Sequence, residues 1–142
     1  MENSQSTEKI KLDFKESMYA TGRRKTSIAK IWLKKGTGKI FVNGKNFQDY
    51  FSSDTHKMQI LRPFEIIDQA TQYDVRCQVV GGGHTGQAGA MVHGISRALV
   101  KFDENFKTTL RKEKLTTRDS RAVERKKPGR AKARKSYQFS KR

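Results

Sequence analysis

The stretch Tyr73-Asp74-Val75-Arg76-Cys77-Gln78-Val79-Val80-Gly81-Gly82-Gly83-His84-Thr85-Gly86-Gln87-Ala88-Gly89, continuing through Met91, Ile95 and Leu99 to Phe102, changes its periodicity in the middle. Before the glycines, Tyr73, Val75, Cys77 and Val79 alternate with Asp74, Arg76 and Gln78, the period of a strand with one face buried. After them, Ala88, Met91/Val92, Ile95, Ala98/Leu99 and Phe102 recur at helical spacing. A strand that passes through a glycine loop into a long amphipathic helix predicts an α/β arrangement with that helix lying on the sheet.

Outward from this unit the signals stay regular. Ser27, Ala29, Ile31 and Leu33 alternate with Ile28, Lys30, Trp32 and Lys34, and Gly36-Thr37-Gly38 leads into Lys39-Ile40-Phe41-Val42. That pattern predicts a hairpin, closed off by Asn43-Gly44. Asn46, with Asp49 three residues on, has the look of a helix start. A second helix is expected from Asp54 to Leu61, with Pro63 opening a further turn through Phe64, Ile66 and Ile67. A shorter helix is expected from about Asn105 to Lys114. The fold class is therefore α/β (α+β), a two-layer sandwich of one mixed sheet with helices on one face.

Charge divides the chain. Among 142 residues, 31 Lys and Arg stand against 14 Asp and Glu, a formal charge of +17. Residues 1–110 carry 17 basic and 11 acidic side chains, whereas residues 111–142 carry 14 and 3, so the cations concentrate at the C-terminal end. Beyond Leu115 only Val123, Tyr137 and Phe139 are large and apolar, too few to offset the entropy of ordering the segment. The expected organisation is a polar arm over 1–17, with Ile10, Leu12 and Phe14 as a possible edge strand, a globular domain over 18–115, and an extended basic tail over 116–142 that is disordered when alone. No run approaches the roughly 20 apolar residues of a membrane span, and the first residues lack the apolar core of a secretory signal. The lone Cys77 forms no internal disulfide, which fits a reducing compartment. Charge of this size favours a polyanion, nucleic acid before membrane, because each neutralised phosphate releases counterions.

Three constellations carry chemistry. Gly81, Gly83 and Gly86 satisfy G-x-G-x-x-G, but no second parallel strand ending in an acid follows the helix, so a nucleotide-dependent enzyme is only an alternative reading. The stronger reading is that backbone N–H groups at Gly81, Gly82 and Gly83, ahead of the helix N-terminus, hold an RNA phosphate. His93, Arg97 and Lys101 recur every four residues, a basic ridge opposite the apolar stripe, with Arg97 and Lys101 expected on phosphates. Arg23, Arg24 and Lys25 form a cationic cluster that Lys30, Lys34, Lys35 and Lys39 extend. Trp32 reads as a packing residue ahead of a base-stacking one. His56, His84 and His93 have no metal-ligand spacing with Cys77, no nucleophile, base and acid set is visible, and neither metal nor cofactor is expected. In the tail, Arg118, Arg121, Arg125, Lys126, Lys127, Arg130, Lys132, Arg134 and Lys135 alternate with small residues, as a strand threading between RNA helices requires, with Tyr137 or Phe139 able to stack. A general basic DNA-binding protein is the third reading.

Three blocks in order, Thr21-Gly22-Arg23-Arg24-Lys25-Thr26-Ser27-Ile28-Ala29-Lys30, Gly81 through Ala90 with its helix, and Lys126-Lys127-Pro128-Gly129 through Gln138-Phe139-Ser140-Lys141-Arg142, closely resemble the bacterial-type family of small-ribosomal-subunit protein nine. The resemblance covers about residues 18–142. It implies a ribosomal-protein fold with a left-handed βαβ unit and a structural role without catalysis, on the head of the small subunit against the 3′ major domain of its RNA, beside neighbouring head proteins. It also implies a tail crossing toward the peptidyl-tRNA site, with Lys141 and Arg142 near phosphates of the tRNA anticodon stem-loop. The implied setting is the ribosome of a bacterial cytoplasm or of an organelle encoding its own protein, with no membrane contact and no homo-oligomer.

Overall fold

The computed structural model describes residues 16–69 and 71–141. Within them run strands β1 (Met18–Arg24), β2 (Ser27–Lys35), β3 (Ile40–Val42) and β4 (Lys45–Asn46), helices α1 (Phe47–Tyr50) and α2 (Asp54–Ile66), strand β5 (Tyr73–Val80), and helices α3 (His84–Phe102) and α4 (Phe106–Lys112). The expected edge strand around Ile10, Leu12 and Phe14 lies outside the described residues. The five strands form one mixed sheet in the order β1-β2-β5-β3-β4. Only β3 and β5 pair in parallel, and β4, α1 and α2 form the crossover between them.

That order corrects the expected hairpin. β2 and β3 are not partners, because β5 lies between them, antiparallel to β2 and parallel to β3. The hairpins that form are β1–β2, turning at Lys25-Thr26, and β3–β4, turning at Asn43-Gly44. Asp74, expected on the outer face of its strand, is buried at 5% exposure where the 36–39 loop crosses it. Its Oδ1 accepts the N–H groups of Thr37, Gly38 and Lys39 at 2.9, 3.0 and 2.9 Å. One carboxylate thus holds the 36–39 loop across the start of β5, with β3 on the far side. Asn43 continues the β3–β5 ladder, its Oδ1 accepting from Val79 N–H and its Nδ2 donating to the Val79 carbonyl.

Inward positions alternate as the sequence predicts: Ser27, Ala29, Ile31 and Leu33 of β2 and Val75, Cys77 and Val79 of β5 are buried. α3 covers them with Ala88, Ala90, Met91, Ile95, Ala98 and Leu99. β1, which carries no strong apolar pattern, packs closer to α3 than its side chains would normally permit. Its inward residues are Ala20 and Gly22, and a Cβ on Gly22 would stand 1.9 Å from the Ala90 carbonyl oxygen and 2.3 Å from the Gly94 amide nitrogen. α2 packs on α3 and is continuous to Ile66, not broken after Leu61. Pro63 sits inside it, where proline forfeits one helical hydrogen bond. Burial of Ile60, Pro63 and Phe64 in the core holds the helix together across that gap.

Candidate nucleic-acid interface

The turn of the β1–β2 hairpin and the glycine loop are about 55 residues apart in sequence and touch in space. Ser27 Oγ donates to the Gly81 carbonyl at 3.0 Å, and Gln87 Nε2 donates to the same oxygen at 3.1 Å. Tyr50 Oη, donating to Gln87 Oε1 at 2.8 Å, orients that amide. Gly81 and Gly82 have φ of +76° and +62°, so the loop turns in the left-handed region and leaves Gly83 extended as the N-cap of α3. No side chain caps α3, and nothing stands within 4 Å of where a Gly83 Cβ would be. The helix therefore presents its first N–H groups past an open backbone, beside exposed Arg23 and Lys25.

The three adjacent cations do not act alike. Arg23 and Lys25 point outward. Arg24 lies across α3 at Gly89, where a Cβ would come within 2.2 Å of its Cδ, and reaches Asp119 with Nε 3.8 Å from Oδ2. Asp119 also accepts a bidentate pair from Arg121, at 3.0 and 2.7 Å, and these bonds hold its carboxyl far below the usual carboxylate range. The root of the tail thus meets the hairpin through a long ion pair, with Arg24 Nε buried and making no hydrogen bond, while the Arg121–Asp119 bonds stay within the tail. A groove of about 360 Å³, lined among others by Arg23, Arg24, Arg62, His93, Lys114 and Arg121, runs along this seam.

The ridge on α3 has a partner within the chain. β1 is the edge strand, and the ridge bonds its backbone residue for residue: Arg97 Nη1 donates to the Thr21 carbonyl at 2.7 Å, Lys101 Nζ to the Tyr19 carbonyl at 2.9 Å, and Arg23 N–H to His93 Nδ1 at 3.3 Å. Four-residue spacing on a helix thus matches two-residue spacing on a strand. Spacing places His93 in the ridge, but its partner, the Arg23 N–H seventy residues away, becomes visible only in the fold. Burial lowers the His93 pKa first, and Arg97 and Arg118 lower it further against a hydrogen bond to the Thr116 backbone. A neutral Nδ1 is also what accepting from Arg23 requires.

Because the folded pKa lies below the ordinary 6.5, the unfolded chain binds the extra proton. Stability from this residue is complete above that value and declines as pH falls through it toward the folded pKa. Thermal melts of the parent between pH 7 and 5 should therefore show a falling Tm, and His93→Gln should flatten that slope. Parallel slopes would show that His93 is not the titrating group.

Beyond Leu115, residues 116–141 contain neither helix nor strand, and their basic side chains are exposed. Glu124 pairs with Lys127 and accepts from Arg134 Nε at 3.0 Å, contacts that lower its pKa. Together with the Ala131 N–H bond to the Lys135 carbonyl they fold 124–136 into a turn around Pro128-Gly129. Arg130 is engaged by the Arg134 carbonyl and Ser136. Arg118, Arg125, Lys126, Lys132, Lys135 and Lys141 are exposed, as is Lys30 on β2, and Arg142 lies outside the described residues. Among the described residues no cluster of His, Cys, Asp and Glu is built to hold a metal, and no helix is long and apolar enough to cross a membrane. Burial pushes the Cys77 thiol well above its ordinary value, away from thiolate chemistry.

Residues 22–142 match the family described as ribosomal protein S9/S16. The small ribosomal subunit protein uS9 of Rickettsia canadensis (strain McKiel) is 56% identical over 132 residues, which is 93% of this chain and 82% of that protein. The proteins of the same description from Rickettsia felis (strain ATCC VR-1525 / URRWXCal2) and Rickettsia massiliae (strain Mtu5) are each 55% identical over 136 residues, covering 96% of this chain and 84% and 86% of theirs.

Proposed function

Because the chain belongs to the ribosomal protein S9/S16 family, and so is a structural component of the ribosome rather than an enzyme, we propose that its cationic surface binds small-subunit ribosomal RNA in the head and that its tail ends beside the tRNA in the peptidyl site. The observation that carries this reading is convergence: the outward cations of the hairpin turn, the uncapped start of α3 behind a side-chain-free loop, and the root of a tail rich in Lys and Arg share one surface. Gly81, Gly82 and Gly83 offer amides to one phosphate, and Arg23, Lys25 and Lys30 offer charge around it. Arg97 and Lys101 keep further donors beyond those bonded to β1, so they brace the strand and face the RNA together. Arg24 faces Asp119 at the root of the tail, and Arg121 braces Asp119 within the tail. Arg118, Arg125, Lys126, Lys127, Arg130, Lys132, Arg134 and Lys135 then follow the RNA of the 3′ major domain, beside other head proteins, until Lys141 and Arg142 meet anticodon-stem phosphates.

Replacing Arg23 and Lys25 together with alanine leaves the Arg23 N–H bond to His93 in place and removes two outward cations. The double variant should bind small-subunit RNA with a log–log salt slope shallower by about 1.4–1.8, at roughly 0.7–0.9 per lost phosphate contact. An unchanged slope takes the hairpin turn out of the interface. Deleting Lys141 and Arg142 should leave subunit incorporation intact and speed tRNA release from the peptidyl site; equal retention in both subunits would remove the tail end from that role. Equal salt-dependent affinity for duplex DNA and for small-subunit RNA would instead support the general basic DNA-binding reading.

A further inference from the structure

The face of the sheet turned away from α2 and α3 carries a row that the phosphate surface does not use. In register, Tyr19 pairs Trp32, Trp32 pairs Arg76, and Arg76 pairs Phe41, a line across β1, β2, β5 and β3. The Tyr19 and Trp32 rings are 5.3 Å apart, and the Arg76 guanidinium lies 5.5 Å over the Trp32 ring. Trp32, expected to pack, thus packs outside the core, and Tyr19 is 41% exposed. Single exposed aromatics are ordinary on proteins, but here π-surfaces stand in one register row on adjoining strands, the Tyr19 and Trp32 rings tilted by 47° to one another.

We infer that this helix-free face is a stacking platform for unpaired RNA bases, sharing its flanking cations with the phosphate contacts and resting on the reading that the protein binds RNA. Charge selects the occupant. Lys30 and Lys34 flank Trp32 on the same face of β2, and Arg23 ends the Tyr19 face of β1 two positions beyond Thr21. Asp74, the one acid in the five strands, already accepts three loop N–H groups. Cations interleaved with rings suit a polyanion that also offers π-faces, which is unpaired RNA; a protein neighbour with an apolar face would gain nothing from the lysines. A paired stem hides its bases and fits only the lysines. Exposed sheets with aromatic residues commonly stack about two or three bases.

Trp32 is the only tryptophan in the chain, so its emission reports on the platform directly. The full chain is titrated with octauridylate and, separately, with a fully paired RNA hairpin of matching phosphate number. Octauridylate should quench Trp32 saturably, and the paired stem should bind with little quenching. Trp32→Ala should weaken octauridylate binding about five- to a hundredfold with the salt slope unchanged, the loss expected for one stacked base. Trp32→Phe should retain most of the affinity. Arg76→Lys keeps the charge, removes the plane and leaves the ring in place, so it tests the platform even where Trp32→Ala fails to fold; it should weaken binding several-fold. Binding of octauridylate without quenching, equal quenching by the stem, or Arg76→Lys matching the parent would overturn the platform while leaving RNA binding in place. Failure of both RNAs to bind would overturn the proposed function itself. Shielding of Trp32 by small-subunit proteins in the absence of RNA would assign this face to a protein neighbour and overturn the inference.

Discussion

An alanine at Gly22 should strongly destabilise the domain and lower its melting temperature by many degrees. The methyl group would have to occupy space held by the Ala90 carbonyl and the Gly94 amide, at 1.9 and 2.3 Å, and both are backbone atoms in the middle of a helix with no rotamer to change. Relief requires β1 to lift from α3. That separation breaks the bonds from Arg97 and Lys101 to the strand and opens the pairing of Met18–Arg24 with β2. Overpacking typically costs about 1–3 kcal/mol, and a clash with helix backbone belongs at the upper end, a large part of the roughly 5–15 kcal/mol by which a domain is stable. Circular dichroism and thermal melting of Gly22→Ala beside the parent check it. A cooperative melt within a few degrees of the parent would mean that strand and helix can separate cheaply. Alanine at Gly83, where nothing stands within 4 Å of the new methyl, should be tolerated by the fold and serves as the control.

Removal of residues 122–142 should do the reverse, sparing the fold and collapsing affinity for RNA. The cut keeps Thr116 with its bond to His93, and Asp119 with Arg24 and Arg121, so the seam at the root of the tail survives. It takes away nine Lys and Arg and one Glu. Should six of those cations sit on phosphates, the salt slope of RNA binding becomes shallower by about 4–5, a change that multiplies into orders of magnitude in affinity at moderate salt. Filter binding to small-subunit RNA across a salt series, with thermal melting of the truncated chain, measures both halves. A truncated chain that binds like the parent would place the interface wholly on the domain.

The sequence made plain those elements whose burial contrast is strong. β2, β5 and α3 alternate or repeat against polar neighbours, and their boundaries fall close to the observed ones. β1 was illegible because its inward residues are Ala20 and Gly22, small where α3 comes close, so the strand shows no apolar pattern at all. The wrong hairpin came from the preference for pairing neighbours in sequence. Asp74, more than thirty residues beyond the loop it organises, reads as an ordinary polar position until the fold brings it there. The site divides in the same way. Its cations are visible as composition, and the ridge of His93, Arg97 and Lys101 as spacing. That the ridge grips β1, that Arg24 turns toward Asp119 while Arg23 and Lys25 face outward, and that the hairpin turn meets the glycine loop all depend on contacts between distant segments.

The bonds from α3 to β1 also govern how copies of the chain behave toward one another. An uncovered outer strand invites a second molecule to extend the sheet, and the chain exposes several large apolar side chains that could follow. Here one rim is occupied by His93, Arg97 and Lys101, and the opposite rim, β4, is only two residues long. A newly synthesised molecule therefore carries little template for self-propagating aggregation while it waits for its place in the particle. Cations at the rim add mutual repulsion, so the side chains that brace the fold also keep it dispersed.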